Sequence, residues 1–411
     1  MLKSMKNNVE SGIGRVKVEF FRRCRWSRRR IAVGWQSTIG RGWALSSYNQ
    51  YVADMKMDMF RIMTSNIKPV LAAVAVGAGF AAAAPEAGAC TRVVYQGEDS
   101  LFVVGRSLDW KTPIPTNLYV YPRGMEKAGD VRKGAKRWVS RYGSVYAVSY
   151  DGGVTEGMNE AGLVINGLFC KGTVYGNAQT AGRPPMSLAV FVAWLLDTHA
   201  TTEECVATLR SHDFDISGAT FDGGTVSALH WGITDASGRT AILEFDHGEV
   251  RIHYPGDILA MTNDPQWGEM KAVLEYWDKV GGANFLPGAV RSPDRCARAN
   301  FFAHNVERTA DGRTAVAITR SVLACSSVPY RYTLSGEPNL SSTQWRSFAD
   351  TKNRRYYFDI VTGDGMYYVD LKRCDLRPGS PVLKLDTSRH ADGCGDATQW
   401  LEVSAPFTPM Y

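Results

Sequence analysis

The feature that most constrains this 411-residue chain is a boundary near its first quarter. From Pro69 to Ala84 the sequence is apolar and uncharged (PVLAAVAVGAGFAAAA), with Arg61 and Lys68 before it and Pro85-Glu86-Ala87-Gly88-Ala89 after it. A basic flank, an apolar stretch too short and too rich in Ala and Gly to span a bilayer well, and small residues at −3 and −1 (Ala87 and Ala89) are what signal peptidase requires. The expected cut falls before Cys90, so residues 57–89 read as a cleaved signal and whatever folds begins at Cys90. Residues 1–56 fit no part of a signal. They read as an upstream extension consistent with a mis-assigned start, with Met57, Met59 or Met63 as more natural initiators.

Charge sorts on the two sides of that boundary. Residues 1–89 hold 14 of the 47 Lys and Arg but only 5 of the 41 Asp and Glu, so the body from Cys90 onward carries a net charge of −3. The body is weakly acidic, so a nucleic-acid partner would rest on the arginine run Arg22 to Arg30 alone. Seven of the eight cysteines lie at or beyond Cys90, without a CxxC spacing, which argues against a zinc site. An odd count in an exported chain leaves one thiol over if the others pair, and a free Cys90 fits that remainder. Six buried reduced thiols are an equal alternative; of the possible bridges, Cys374–Cys394 is the favoured one.

Beyond Cys90 there is no long linker, repeat or low-complexity tract, which favours one large domain. Arg92–Tyr95 and Leu101–Gly105 are β-branched or aromatic runs flanking Gly97-Glu98-Asp99-Ser100, a hairpin pattern that returns Arg106 and Asp109 towards Cys90. Strands are expected again at Ser144–Tyr150 and Leu163–Phe169. Helical spacing follows from Met186 to Leu209, with Thr201 or Thr202 capping a second short helix. Strands resume at Thr225–Thr234 and Thr240–Phe245, then helices near Trp267–Val280 and Ala297–Asn305, then strands at Tyr356–Ile360 and Met366–Leu371. Strands, then helices, then strands predict an α+β fold of two sheets between helices rather than an alternating parallel sheet.

A cysteine at a chain terminus carries its own base, because an α-amine titrates at about 7.7–8.0. No histidine partner is then required, and none of the seven histidines sits in a recognisable nucleophile motif. His230, in Leu229-His230-Trp231 on an apolar strand, reads as a hydrogen-bonded core residue.

Several segments together resemble the choloylglycine hydrolase and penicillin V acylase family, whose members are linear amide hydrolases with an N-terminal nucleophile. These are Cys90-Thr91-Arg92, Gly105-Arg106-Ser107-Leu108-Asp109-Trp110, Asp151-Gly152-Gly153, Gly157 to Leu163, Leu229-His230-Trp231, Met261-Thr262-Asn263-Asp264-Pro265, and Leu286-Pro287-Gly288 followed by Arg295 and Arg298. The likeness covers nearly all of residues 90–411. It implies a four-layer αββα sandwich of two mainly antiparallel sheets between helices. It also implies that Cys90 attacks an amide carbonyl to form a thioester, that Asp109 holds the terminal ammonium or a water, and that Arg106 lies beside the sulfur, where a positive charge favours thiolate. By the same resemblance Arg295 braces the site, Asn263 donates to the oxyanion, and the backbone N–H of Phe169 is the second donor. Phe169 stands where many relatives have Asn or Tyr, which leaves the substrate open among bile salts, penicillin V and acyl-homoserine lactones. Trp110, Phe169 and Trp194 are expected to line a pocket for the apolar acyl group of a small-molecule amide. No cofactor or metal is implied and no stable membrane anchor is expected; relatives form homotetramers, which the sequence neither shows nor excludes. The expected location is the periplasm of a Gram-negative cell, or secretion. The alternative from another class is an exported lipoprotein with Cys90 lipidated and a binding role, against which Ala87 stands where a leucine is usual.

Overall fold

The structure is a computed structural model that describes residues 89–176, 180–218, 220–221, 224–334 and 337–410. The extension over 1–56 and the signal up to residue 88 lie outside the described residues. Among the described residues no helix is long and apolar enough to cross a membrane.

Two sheets are built from alternating strands. In the first, the strand order is Ala260–Met261, Thr91–Gln96, Phe102–Trp110, Glu337–Asp350, Arg355–Ile360, Met366–Asp370 and Gly395–Asp396, with Tyr332–Leu334 paired onto Glu337–Asp350. The second runs Glu249–His253, Thr240–Asp246, Leu229–Thr234, Val164–Phe169, Gly153–Asn159, Ser144–Ser149, Thr116–Tyr121, Val382–Leu385 and Glu402–Ser404. All neighbours are antiparallel except Met366–Asp370 with Gly395–Asp396. Among the described residues, five α-helices cover the faces: α1 (Leu188–Thr198), α2 (Thr202–Ser211), α3 (Trp267–Val280), α4 (Ser292–Asn305) and α5 (Gly312–Ala324).

The layering follows from the period-2 alternation of strand side chains. On the first sheet Val94, Val104, Tyr356 and Phe358 face the second sheet and meet Val145, Ala147, Val164 and Leu168 in a central core. Their neighbours Val93, Val103 and Tyr357 face the other way, onto Met270, Ala297, Val316 and Leu323 of α3, α4 and α5. Ile165, Trp231 and Phe245 point out of the second sheet onto Phe191, Leu195 and Leu209 of α1 and α2. Helices, sheet, sheet, helices is the expected αββα order. α1 is apolar from Leu188 to Leu196 and almost wholly buried, and the Ser187 hydroxyl caps it by accepting from Ala189 N–H. Thr201 caps α2 in the same way through Glu204 N–H.

Some expectations change. Thr225–Thr234 is not one strand: Thr225–Val226 pairs with Thr220–Phe221 as a small separate hairpin, and only Leu229–Thr234 joins the sheet. Thr116–Tyr121, α5 and the long strand Glu337–Asp350, which sits between Phe102–Trp110 and Arg355–Ile360, are additional elements. The Cys374–Cys394 bridge is not formed, and all seven described cysteines are free thiols, with Cys374 donating to the Asp370 carbonyl.

Candidate active site

Cys90 immediately precedes the strand Thr91–Gln96. The antiparallel register sets Thr91 opposite Ser107 and Arg92 opposite Arg106, so the hairpin brings Arg106 and Asp109 to the cysteine. Arg106 Nη2 lies 3.5 Å from Cys90 Sγ and also donates to the Gly167 carbonyl at 3.0 Å, tying the first sheet to the second across the central core. The sulfur is 4.0 Å from the Asp109 carbonyl oxygen. Arg106 is itself buried, with its guanidinium 4.7 Å from the Trp345 ring centroid and Nε 3.2 Å from Glu156 Oε2. Glu156 Oε1 accepts from Tyr356 Oη at 2.6 Å and from the Ser347 hydroxyl.

Arg295, in the first turn of α4, connects segments far apart in sequence. Its Nη1 donates to the Cys90 carbonyl at 2.8 Å and to Thr91 Oγ1 at 2.5 Å, and its Nη2 donates to Asn263 Oδ1 at 2.8 Å. Nε donates to the Val290 carbonyl at 2.9 Å, so the guanidinium is fixed in its plane. Asn263 is thereby oriented with Nδ2 towards Phe169, whose carbonyl accepts at 2.7 Å. Asp109 Oδ2 lies 3.9 Å from Arg295 Nη1 and accepts from Ser107 Oγ at 3.2 Å. Its other oxygen, Oδ1, is buried without a hydrogen-bond partner among the described residues. Burial pushes the Asp109 carboxyl above the ordinary carboxylate range, against the pull of Arg295 and Arg106. The cysteine, both arginines, Asp109, Asn263 and Phe169 thus lie together.

Above them opens a cleft of about 770 Å³ of empty space, lined by Cys90, Arg106 and Asp109 at one side and by apolar and aromatic residues elsewhere. Trp110 stacks at a tilt between Phe169 and Phe221, 5.4 Å from each ring centroid. Trp110 and Phe169 therefore line the pocket as expected. Trp194 does not. It packs inside the outer layer against Phe191 and Phe214, at 5.8 and 5.4 Å, because α1 has no polar side to turn it outward.

Two groups escape the sequence reading. Glu156, under Arg106, is one; past a register shift in its strand it and Met158 face the central core, whereas Val154 packs towards α1. The other is the group behind Asn263. His230 is buried as the sequence suggests, but it holds the backbone next to the site, with Nε2 2.8 Å from the Thr262 carbonyl and Nδ1 3.2 Å from Glu244 Oε1. Both nitrogens face acceptors, so both donate and the ring is an imidazolium. Burial alone would lower its pKa, but the Cys170 sulfur and the Glu244 carboxylate outweigh burial and push it up to about 10. Glu244 is desolvated too, yet His230 and His253 hold it down at about 2. Cys170, His230 and Glu244 place one metal-ligand atom each within 4.8 Å of one another. The imidazolium accounts for that cluster with its hydrogen bonds already satisfied.

Known proteins carry the same architecture. The family model described as linear amide C-N hydrolases, choloylglycine hydrolase family, matches residues 90–390. Penicillin V acylase of Pectobacterium atrosepticum is 32% identical over 343 residues, spanning 78% of this chain and 91% of that protein. The structure of penicillin V acylase from Agrobacterium tumefaciens superposes with a TM-score of 0.72 at 37% identity, covering 78% of this chain and 99% of that one. A conjugated bile acid hydrolase from Clostridium perfringens, solved as a variant, superposes at 0.61 with 19% identity over 72% of this chain and 97% of its own, a likeness of fold.

Proposed function

The chain belongs to the choloylglycine hydrolase family of linear amide C–N hydrolases, and from that premise we propose that it is exported, cut before Cys90, and works through a thioester on the Cys90 sulfur. The observation that carries this reading is the position of that sulfur: it borders an apolar cleft beside Arg106, and the family match begins at the same residue.

In the proposed reaction the sulfur adds to the amide carbonyl and its proton passes to the α-amine freed by cleavage. Arg106 donates to the sulfur, an interaction that strengthens when the sulfur bears negative charge. The carbonyl oxygen becomes an oxyanion, stabilised by an Nδ2 hydrogen of Asn263 and the backbone N–H of the Phe169 position. As the tetrahedral species collapses, the C–N bond breaks and the α-ammonium returns its proton to the departing amine. Water, deprotonated by the same amine, then adds to the thioester; the C–S bond breaks, releasing the carboxylic acid and restoring the thiol. Asp109, with one oxygen unpartnered, is the acceptor for the ammonium.

The substrate class we favour is that of the penicillin V acylases, with long-chain acyl-homoserine lactones as a further candidate and bile salts behind them. All join an apolar acyl group to a small polar amine. The higher identity to the two penicillin V acylases than to the bile acid hydrolase supports that order. The reading also implies a periplasmic or secreted location.

Mass spectrometry of the exported protein tests the first half: a lipidated Cys90, or a mature chain beginning elsewhere, refutes it. Turnover of penicillin V, glycocholate and a long-chain acyl-homoserine lactone, compared by kcat/KM, tests the second. Cys90→Ala should melt cooperatively like the parent and lose activity, and retained turnover would remove the thiol from the mechanism.

A further inference from the structure

The segment Ala405–Met410 crosses the second sheet and delivers one side chain into the cleft. Its course is fixed at two points. Phe407 N–H donates to Tyr121 Oη at 2.9 Å, and the Phe407 ring sits edge-on to Tyr119 and Tyr121, with both centroids 6.0 Å away. Three residues on, Met410 N–H donates to the Gly152 carbonyl at 2.8 Å. Pro406 and Pro409 restrict the backbone around these anchors.

Gly152 follows the tight turn made by Tyr150 and Asp151, both at positive φ, between the strands Ser144–Ser149 and Gly153–Asn159. A Cβ on Gly152 would meet Met410 Cγ at 2.5 Å and its Sδ and Cε at 2.9 Å. The glycine therefore makes room for the methionine to lie flat on the turn. Seated there, Met410 joins Ser149, Tyr150, Gly153 and Val154 in the cleft lining. Gly167, which accepts from Arg106 beside the sulfur, is on the strand Val164–Phe169. That strand and Ser144–Ser149 are separated by one intervening strand, so the two parts of the cleft are about 10 Å apart across the sheet.

We propose that Met410 is a specificity-determining residue that forms the far wall of the acyl pocket and sets the length of acyl group the cleft accepts. This rests on the amide hydrolase reading for its substrate class. The placement of the wall rests on the geometry alone. Methionine suits the task, being apolar, unbranched and readily substituted without loss of fold.

The test is a chain-length profile taken in two ways on protein expressed from the full sequence. Straight-chain carboxylic acids from butyric to tetradecanoic are titrated by calorimetry, which needs no turnover, and the matching N-acyl-homoserine lactones are assayed by kcat/KM. Met410→Ala should move the tightest-binding acid to a longer chain, with about a fourfold gain in affinity for each further methylene buried. Met410→Trp should move it to a shorter chain, with the longest acids losing tenfold or more. Phe407→Ala, which releases the upstream anchor, should broaden the profile in the direction of Met410→Ala. If all three variants melt like the parent and keep its chain-length profile in binding, the proposal is overturned. A binding profile that shifts while no amide is cleaved supports the wall and refutes the hydrolase reading.

Discussion

Replacing Glu156 by glutamine should cost this protein more than any exposed substitution, although the two side chains are nearly the same shape. Glutamine retains the oxygen that accepts from Tyr356 and Ser347, and puts an uncharged N–H donor in place of the carboxylate oxygen 3.2 Å from Arg106 Nε. Arg92, Arg106 and Arg295 are each no more than 1% exposed, and Glu156 and Asp109 are the carboxyls nearest them. With Glu156 neutral, Arg106 loses the carboxylate beside it and Arg92 loses the one that supports its charge. Breaking a buried pair from one side costs about 3–5 kcal/mol, because the remaining ion is left uncompensated. At about 1.5 °C per kcal/mol for a domain of roughly 320 residues, melting should fall by about 4–8 °C. In urea the midpoint should drop at constant slope, since the surface exposed on unfolding is unchanged. A loss under about 0.5 kcal/mol would mean that no ion pair operates there and would refute the argument.

Asn263→Ala should lower kcat by about 10²–10³ with a much smaller change in KM, because the donor acts on charge that develops in the transition state; an effect confined to KM would count against the oxyanion role. The His230–Glu244 pair predicts a shape for stability against pH. The imidazole's pKa is raised to about 10 in the fold, so its contribution is complete below about 6.5 and is lost as pH rises towards 10. Glu244 is lowered to about 2, so its contribution is complete above about 4.3 and is lost as pH falls. His230→Gln should flatten the alkaline side of the curve measured by urea titration at each pH, and an unchanged alkaline slope would contradict the assignment. Trp194→Ala should destabilise by about 3–5 kcal/mol and leave the order of substrate preference as it was, whereas Trp110→Ala should alter that order; a changed preference in the Trp194 variant would return it to the pocket.

What was legible in the sequence depended on how far apart the partners lie along the chain. Cys90, Arg106 and Asp109 are joined by one hairpin, and strand alternation with turn residues suffices to bring them together. The tie from Arg295 to the Cys90 carbonyl spans 205 positions and has no local periodicity to announce it; only the order of motifs shared with the family pointed there. Glu156 looked like any solvent-facing acid, because a β-strand gives no hint of which face is buried until its partner sheet is known. Trp194 failed in the opposite way: the run Leu188–Leu196 is apolar and buried on every side, so aromatic character did not identify the side nearest the cleft. α5 was missed where Gly312-Arg313-Thr314 opens a helix whose buried residues, such as Ala315, Val316 and Thr319, are mostly small.

Arg295 grips Cys90 by its carbonyl, a contact that makes no use of the cysteine nitrogen. If a leader is removed before Cys90 as proposed, that contact can stand on either side of the cleavage. Latency would then be a matter of basicity alone. A peptide nitrogen cannot take up a proton and an amine can, so a single hydrolysed bond would supply the base that the proposed chemistry needs.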